Sequence, residues 1–152
     1  MRKLAAGNWK MNGTRAALDQ LRAIVEAHPD PTVDLLICPP ATLLSQAVNV
    51  VASAPLDIGG QDCHSAPSGA HTGDISAPML ADCGATAVIV GHSERRENHN
   101  ETNDMVRAKA QAAHDAGLVA VICLGETLAE REDGRTLEVI ANQLEASTPD
   151  GA

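Results

Sequence analysis

The chain has 152 residues, a formal net charge of −9 and a hydrophobic content of 44%, with Trp9 its sole residue among Phe, Trp and Tyr. That length holds one domain with a real core, which must be built from Val, Ile, Leu, Ala and Met. An acidic surface without aromatic platforms excludes nucleic acid and anionic membranes as partners.

The first short apolar run is KLAAGNW, Lys3 to Trp9. After NGT, Thr14 is positioned to cap a helix whose apolar stripe is Leu18, Leu21 and Val25. VDLLIC, Val33 to Cys38, is the second run. Behind CPPAT comes a stripe of Leu44, Ala47, Val48 and Val51, with Pro40 near a first turn where proline is tolerated. The third run is LDIGGQ, Leu56 to Gln61, followed by a Gly-rich stretch, GAHTGDISAPML, and a short helix from Met79 to Cys83 closed by Gly84. TAVIV, Thr86 to Val90, precedes a helix with the stripe Met105, Ala108, Ala112 and Ala116, closed by Gly117. LVAVIC, Leu118 to Cys123, precedes a last stripe of Leu137, Ile140, Ala141 and Leu144. The runs are too short for typical helices, and the later ones are nearly continuous rather than alternating, as in strands buried on both faces of a parallel sheet. Their centres fall about 23 to 33 residues apart, the size of one βα unit. The expected class is therefore α/β, one uninterrupted array.

Chemistry gathers where these runs end: Asn8 and Lys10, Cys38-Pro39, Gln61-Asp62, His92-Ser93-Glu94, and Gly125-Glu126. Ligands of parallel α/β folds bind at the carboxyl ends of strands, so the bias points to one shared site. A histidine just before a helix meets unpaired N–H groups and the positive end of the dipole, which favour a neutral imidazole able to donate to an oxyanion. Ser93 is the expected N-cap of that helix. Arg95 and Arg96 oppose the dipole and call for partners, either acids such as Glu97 or Glu101 or a neighbouring loop or subunit. The four cysteines lie 20 or more residues apart, without metal or redox spacing, and read as reduced thiols. His64, His71, His99 and His114 show no metal spacing, so no metal is expected. The Gly-rich stretch lacks dinucleotide-binding spacing and reads as a protruding loop. ETLAERED, Glu126 to Asp133, reads as the solvated start of a helix. MRKLAAGNWK contains no hydrophobic signal segment, and the expected location is the cytoplasm.

Taken together, AGNWKMN, GGQDCH, AHTGDIS, VGHSERR and ICLGET resemble the triosephosphate isomerase family, in order and spacing, over essentially the whole chain. The resemblance implies a (βα)8 TIM barrel that interconverts dihydroxyacetone phosphate and glyceraldehyde 3-phosphate through an enediolate, in glycolysis and gluconeogenesis, without a cofactor. By position it implies that Asn8 and Lys10 bind substrate and that His92 polarises the substrate carbonyl. Glu94 would place Lys10, and Ser93 would orient His92. It further implies an ion-pair role for Arg95 and Glu101, a buried Cys123 at the end of strand five, and a homodimer. In that dimer an arm carrying His71, Thr72, Gly73 and Asp74 inserts beside Asn8 and Met11 of a partner.

The resemblance also sets a departure. A barrel of this type runs about 250 residues, and residues 1–152 correspond to about its first five βα units, units six to eight being absent. The family's general base is a glutamate after strand six, which has no counterpart here, nor have the phosphate loops after strands seven and eight. The piece alone is accordingly expected to be inactive. A non-catalytic half-barrel assembly module and another phosphate-handling barrel enzyme are the rival readings.

Overall fold

The computed structural model describes residues 3–151. Five strands, β1 (Leu4–Asn8), β2 (Asp34–Cys38), β3 (Asp57–Gly60), β4 (Ala87–Val90) and β5 (Val119–Ile122), form one sheet in the order β1-β2-β3-β4-β5. Each pairs in parallel with the next, for example Ala6 with Leu36, Gly60 with Val88, and Val90 with Ile122. The helices between them are α1 (Leu18–Ala27), α2 (Ala41–Val51), α3 (Ala77–Asp82), α4 (Ser93–Asn98) and α5 (Asn103–Asp115), with α6 (Leu128–Glu132) and α7 (Thr136–Ser147) after β5. This is an α/β array of successive βα units, as expected for a partial barrel.

Two apolar layers explain why the strands read as continuous apolar runs. On the helix side, Leu35 and Ile37 of β2 and Val88 and Val90 of β4 join a core with Leu21, Leu44, Ala47, Leu80 and Val106. The alternate residues Leu36, Cys38, Ala87 and Ile89 form a second cluster on the other face, with Val121 and Cys123 packed against it. With period-2 side chains, both faces of a strand must be apolar to serve both layers.

Several local expectations are corrected. Thr14 precedes a 3-10 turn (Arg15–Ala17) and makes no side-chain cap; α1 starts at Leu18, still burying Leu18 and Leu21. Pro40 does lie beside the first turn of α2 as expected, at the N-cap one place before the helix, where no N–H is required. The short third helix begins earlier than expected, because Ser76 caps it by accepting the Met79 N–H.

The buried stripe of α5 is Val106, Lys109, Ala110 and Ala113, turned by about one residue from the expected Met105, Ala108, Ala112 and Ala116. Met105 is exposed, whereas Ala112 and Ala116 pack at the edge of the core. The stripe turned because a lysine occupies a buried position, held there by acids described below. Helix α7 lies against α5 and buries Val139 and Ser147; Leu137, Ala141 and Leu144 are exposed. Among the described residues no helix is long and apolar enough to cross a membrane.

Candidate active site

The loop after β1 is built around an unusual backbone. Lys10 has φ 54°, a left-handed conformation that a side chain makes costly. Four hydrogen bonds over-determine it. The Lys10 N–H donates to Asn8 Oδ1 at 2.8 Å, and Trp9 N–H donates to Cys38 O at 3.1 Å. Gln61 Nε2 donates both to Lys10 O and to Cys38 O, each at 2.9 Å. The exits of β1, β2 and β3 are thereby tied together, and the Lys10 side chain is set over them.

Gly91 makes the turn at the exit of β4. Its φ is +67°, and a Cβ there would lie 2.7 Å from both Val106 methyls. The next residue, His92, is the N-cap of α4: its Nδ1 accepts the Glu94 N–H at 3.2 Å. The expected cap, Ser93, instead occupies the first helical position and is exposed, because the imidazole nitrogen does what its hydroxyl was expected to do. An Nδ1 that accepts an N–H carries no proton, so in the neutral ring the proton sits on Nε2 and is available to donate.

Glu94 connects the two exits. Its Oε1 accepts from Lys10 Nζ at 2.7 Å, and its Oε2 lies 3.5 Å from His92 Nδ1. The hydrogen bond from Lys10 holds the Glu94 carboxyl below its ordinary range. Asn8, Lys10, His92 and Glu94 therefore stand together.

The arginines of SERR have partners of two kinds. Arg95 pairs with Asp62 at 2.9 Å and Glu101 at 2.6 Å. The same acids receive Lys109, at 2.8 Å to each Asp62 oxygen and 2.6 Å to Glu101. Lys109 and Glu101 side chains are only 9% and 1% exposed, so this is a buried network rather than a surface pair. Burial alone would raise the Glu101 carboxyl, but the hydrogen bonds from Lys109 and Arg95 outweigh it and bring it below its ordinary value; Asp62 is pushed up by burial against the pull of Lys109. Arg96 takes the neighbouring-loop alternative, binding Gly91 O at 2.8 Å, Asn103 Oδ1 at 2.6 Å, Cys123 O at 3.3 Å and Ser147 Oγ at 3.1 Å. It buttresses the peptide just before His92.

Other expected positions lie apart from this cluster. Glu126 accepts from Thr136 Oγ1 at 3.2 Å and lies 3.4 Å from Arg131. Met11 is 96% exposed, and His71, Thr72, Gly73 and Asp74 project in an exposed loop. The cysteines are free: Cys38 and Cys63 are buried, Cys123 is half-buried and Cys83 is exposed. Gln61, Asp62 and Lys109 were not singled out as site residues. Only the position of Gln61 and Asp62 at a strand exit signalled them.

The triosephosphate isomerase family model matches residues 3–152. The chain is 65% identical over 150 residues to triosephosphate isomerase of Ruegeria pomeroyi, covering 99% of this chain and 60% of that protein. It is 60% identical over 155 residues to that of Rhizobium etli, again covering 60% of the relative. A crystal structure of triosephosphate isomerase from Bartonella henselae superposes with a TM-score of 0.97 at 53% identity, covering 100% of this chain and 64% of that one. The chain thus spans about 60% of the length of these curated relatives. With a five-stranded parallel array, a tied Lys10–Glu94–His92 cluster and a family match along the chain, the conclusion is that it belongs to the triosephosphate isomerase family.

Proposed function

We propose that this chain supplies the electrophilic half of an aldose–ketose isomerase site that interconverts dihydroxyacetone phosphate and glyceraldehyde 3-phosphate. The observation that carries this is Glu94, whose carboxylate holds the Lys10 ammonium while its N–H holds His92 Nδ1. Both groups that can stabilise a developing oxyanion are fixed by one residue before substrate arrives.

In this reading Lys10 and the Asn8 amide bind the anionic substrate, and His92 Nε2–H donates to the substrate oxygens. A carboxylate base removes the proton from C1 of the ketose, the electron pair passes into the C1–C2 bond, and the carbonyl oxygen becomes an enediolate oxygen that His92 stabilises. Moving the hydroxyl proton from O1 to O2, between the two oxygens that His92 faces, and returning the carbon-bound proton to C2 gives the aldehyde, so hydrogen is relocated with no net oxidation or reduction and no redox cofactor is needed. Glu94 is committed to Lys10, and Glu126 to Thr136 and Arg131. The family resemblance assigns the base to a glutamate after a sixth strand, which has no counterpart in residues 1–152, and these residues alone are expected to be inactive. The active assembly is a cytoplasmic homodimer, with Met11 and the exposed His71–Asp74 arm at its interface.

The test is His92→Gln in the full-length protein, assayed for triose phosphate turnover. A fall in kcat of about 10²–10⁴-fold is expected from losing a positioned acid–base group. Unchanged turnover in a folded variant removes His92 from the mechanism.

A further inference from the structure

Arg96 holds the backbone of His92 from both sides. Its own N–H donates to His92 O at 3.0 Å, and its side-chain Nε donates to Gly91 O at 2.8 Å. The two peptide oxygens that flank the His92 Cα are thus bound by one residue, one within the helix and one through the guanidinium. The guanidinium is anchored in turn beyond the turn: Nη1 donates to Asn103 Oδ1 at 2.6 Å, and Nη2 to Cys123 O at 3.3 Å and Ser147 Oγ at 3.1 Å. Asn103 opens α5, Cys123 follows β5 directly and Ser147 is the last residue of α7. Ser147 is fully buried, and its hydroxyl donates to Asn103 Oδ1 at 3.2 Å, which leaves its oxygen to accept from Arg96.

Charge pairing does not explain this arginine. All four acceptors are neutral oxygens, whereas Arg95, one residue earlier, takes two carboxylates. A guanidinium is a planar fork whose donors point in fixed directions. Bound to the Gly91 turn, α5, the exit of β5 and α7 at once, it acts as a rigid spacer between them. The Gly91 peptide is wedged on the other side as well: a Cβ at Gly91 would stand 3.1 Å from Arg96 Nη2 and 2.7 Å from the Val106 methyls.

We propose that Arg96 is a positioning residue for His92, fixing the Gly91–His92 peptide so that the imidazole keeps its aim, with Asn103 and Ser147 setting the guanidinium. This rests on the reading of His92 as the group that polarises the substrate carbonyl. Arg96 acts through the backbone and not on the reacting atoms. The imidazole is oriented by its Nδ1, which accepts the Glu94 N–H at 3.2 Å while His92 keeps the N-cap conformation of φ −55° and ψ 143°. That bond is already at the long end of the hydrogen-bond range, so a small shift of the peptide loosens it. Lysine at position 96 keeps the charge but offers one nitrogen in place of three, and cannot span the same four oxygens.

The test is a double-mutant cycle in the full-length protein: Arg96→Lys, His92→Gln and the two together. Each is assayed for triose phosphate turnover, with folding checked by denaturant titration. Arg96→Lys is expected to lower kcat on the order of 100-fold, the cost of misplacing a catalytic group by about 1 Å. KM should change little, because Asn8 and Lys10 keep their contacts. In the His92→Gln background the same substitution is expected to cost almost nothing further, since groups that act as a unit are not additive. A merely structural arginine would lower the denaturant midpoint and cost the same factor in either background. Ser147→Ala frees the guanidinium from α7 without touching the turn. It is expected to lower kcat in the same direction and to lose that effect when combined with His92→Gln, and it carries the test if Arg96→Lys does not fold. Wild-type kcat in folded Arg96→Lys, or a loss equal in size with and without His92, overturns the proposal. Unchanged turnover in His92→Gln overturns it together with the reading of His92 on which it rests.

Discussion

Lys10 and Glu94 are 84 positions apart in the chain, yet their side chains meet at 2.7 Å. They follow β1 and β4, which two other strands separate in the sheet. Three strand spacings amount to about 14 Å in a flat sheet, so the loops at the strand exits and the curl of the sheet bring the pair together. Both side chains are about half exposed, and exposed pairs of this kind contribute little to the stability of a fold. The contact is therefore better suited to placing an ammonium than to holding the protein together.

That distinction can be measured with Glu94→Gln in the full-length protein. The neutral amide leaves Lys10 without its charged partner, and misplacing a catalytic group by about 1 Å costs on the order of 100-fold in rate. Turnover of triose phosphate is expected to fall by about that factor, while the denaturant midpoint stays close to that of the wild type. A stability loss large enough to explain the lost activity would assign Glu94 a structural role instead.

Gly91 offers a second test, because two separate reasons require glycine there. Its φ of +67° disfavours a side chain, and Val106 is too close on the core side. Gly91→Ala is expected to destabilise the protein by about 1–3 kcal/mol through strain and overpacking. Because His92 follows directly and Arg96 binds Gly91 O, turnover measured well below the midpoint of thermal unfolding should fall as well. Wild-type activity with a lowered Tm would show that His92 keeps its place without this turn.

The strands were legible because burial on two faces leaves an almost pure apolar run, and their exits could be located to within a residue or two. Asn8, Lys10, His92 and Glu94 were legible as a group for the same reason: each ends or follows a strand, and parallel strands send their exits to one end. The capping role of His92 was not legible. Ser93 is the better N-cap by composition, and nothing in GHSE shows that the preceding imidazole will accept the Glu94 N–H. The face of α5 was misjudged because Lys109 reads as a solvent residue until Asp62 and Glu101, distant in sequence, are placed beside it. Between an acid and a neighbouring loop the sequence could not choose for Arg96, and two of its four partners are backbone carbonyls. Carbonyl partners leave no mark in composition.

The network around Lys109 predicts a stability effect with a definite pH dependence. Glu101 Oε1 accepts from both Arg95 and Lys109, while Oε2 finds no partner among the described residues. Glu101→Gln removes a buried carboxylate between two cations, and breaking such an arrangement costs about 3–5 kcal/mol. Asp62 still holds both cations, so a loss near about 3 kcal/mol is expected at neutral pH. The folded Glu101 carboxyl lies below its ordinary value of 4.5. Its contribution is therefore complete above pH 4.5 and declines as pH falls through the folded value. Asp62 runs the opposite way, since burial raises it. The wild-type profile mixes the two, but the difference between wild type and Glu101→Gln isolates Glu101. Denaturant titrations should show that difference narrowing below pH 4.5; a gap that stays constant into acid would show that the carboxylate charge does not matter.

The four thiols are predicted to separate by reactivity. Burial pushes Cys38 up to about 12 and Cys63 to about 11, and it raises Cys123 as well. A thiol must ionise to attack a disulfide reagent, so these three are suppressed twice, by access and by low thiolate content. Cys83, at the C-terminal end of α3, is exposed. With an aromatic disulfide reagent at pH 8, Cys83 is expected to react first among these four, with Cys123 slow and Cys38 and Cys63 silent until denaturant is added. Cys83→Ser should then abolish the fast phase without changing the total released on unfolding by more than that one thiol. Rapid labelling of Cys38 in the folded protein would mean that the layer it shares with Leu36, Ala87 and Ile89 opens to solvent, contrary to its complete burial.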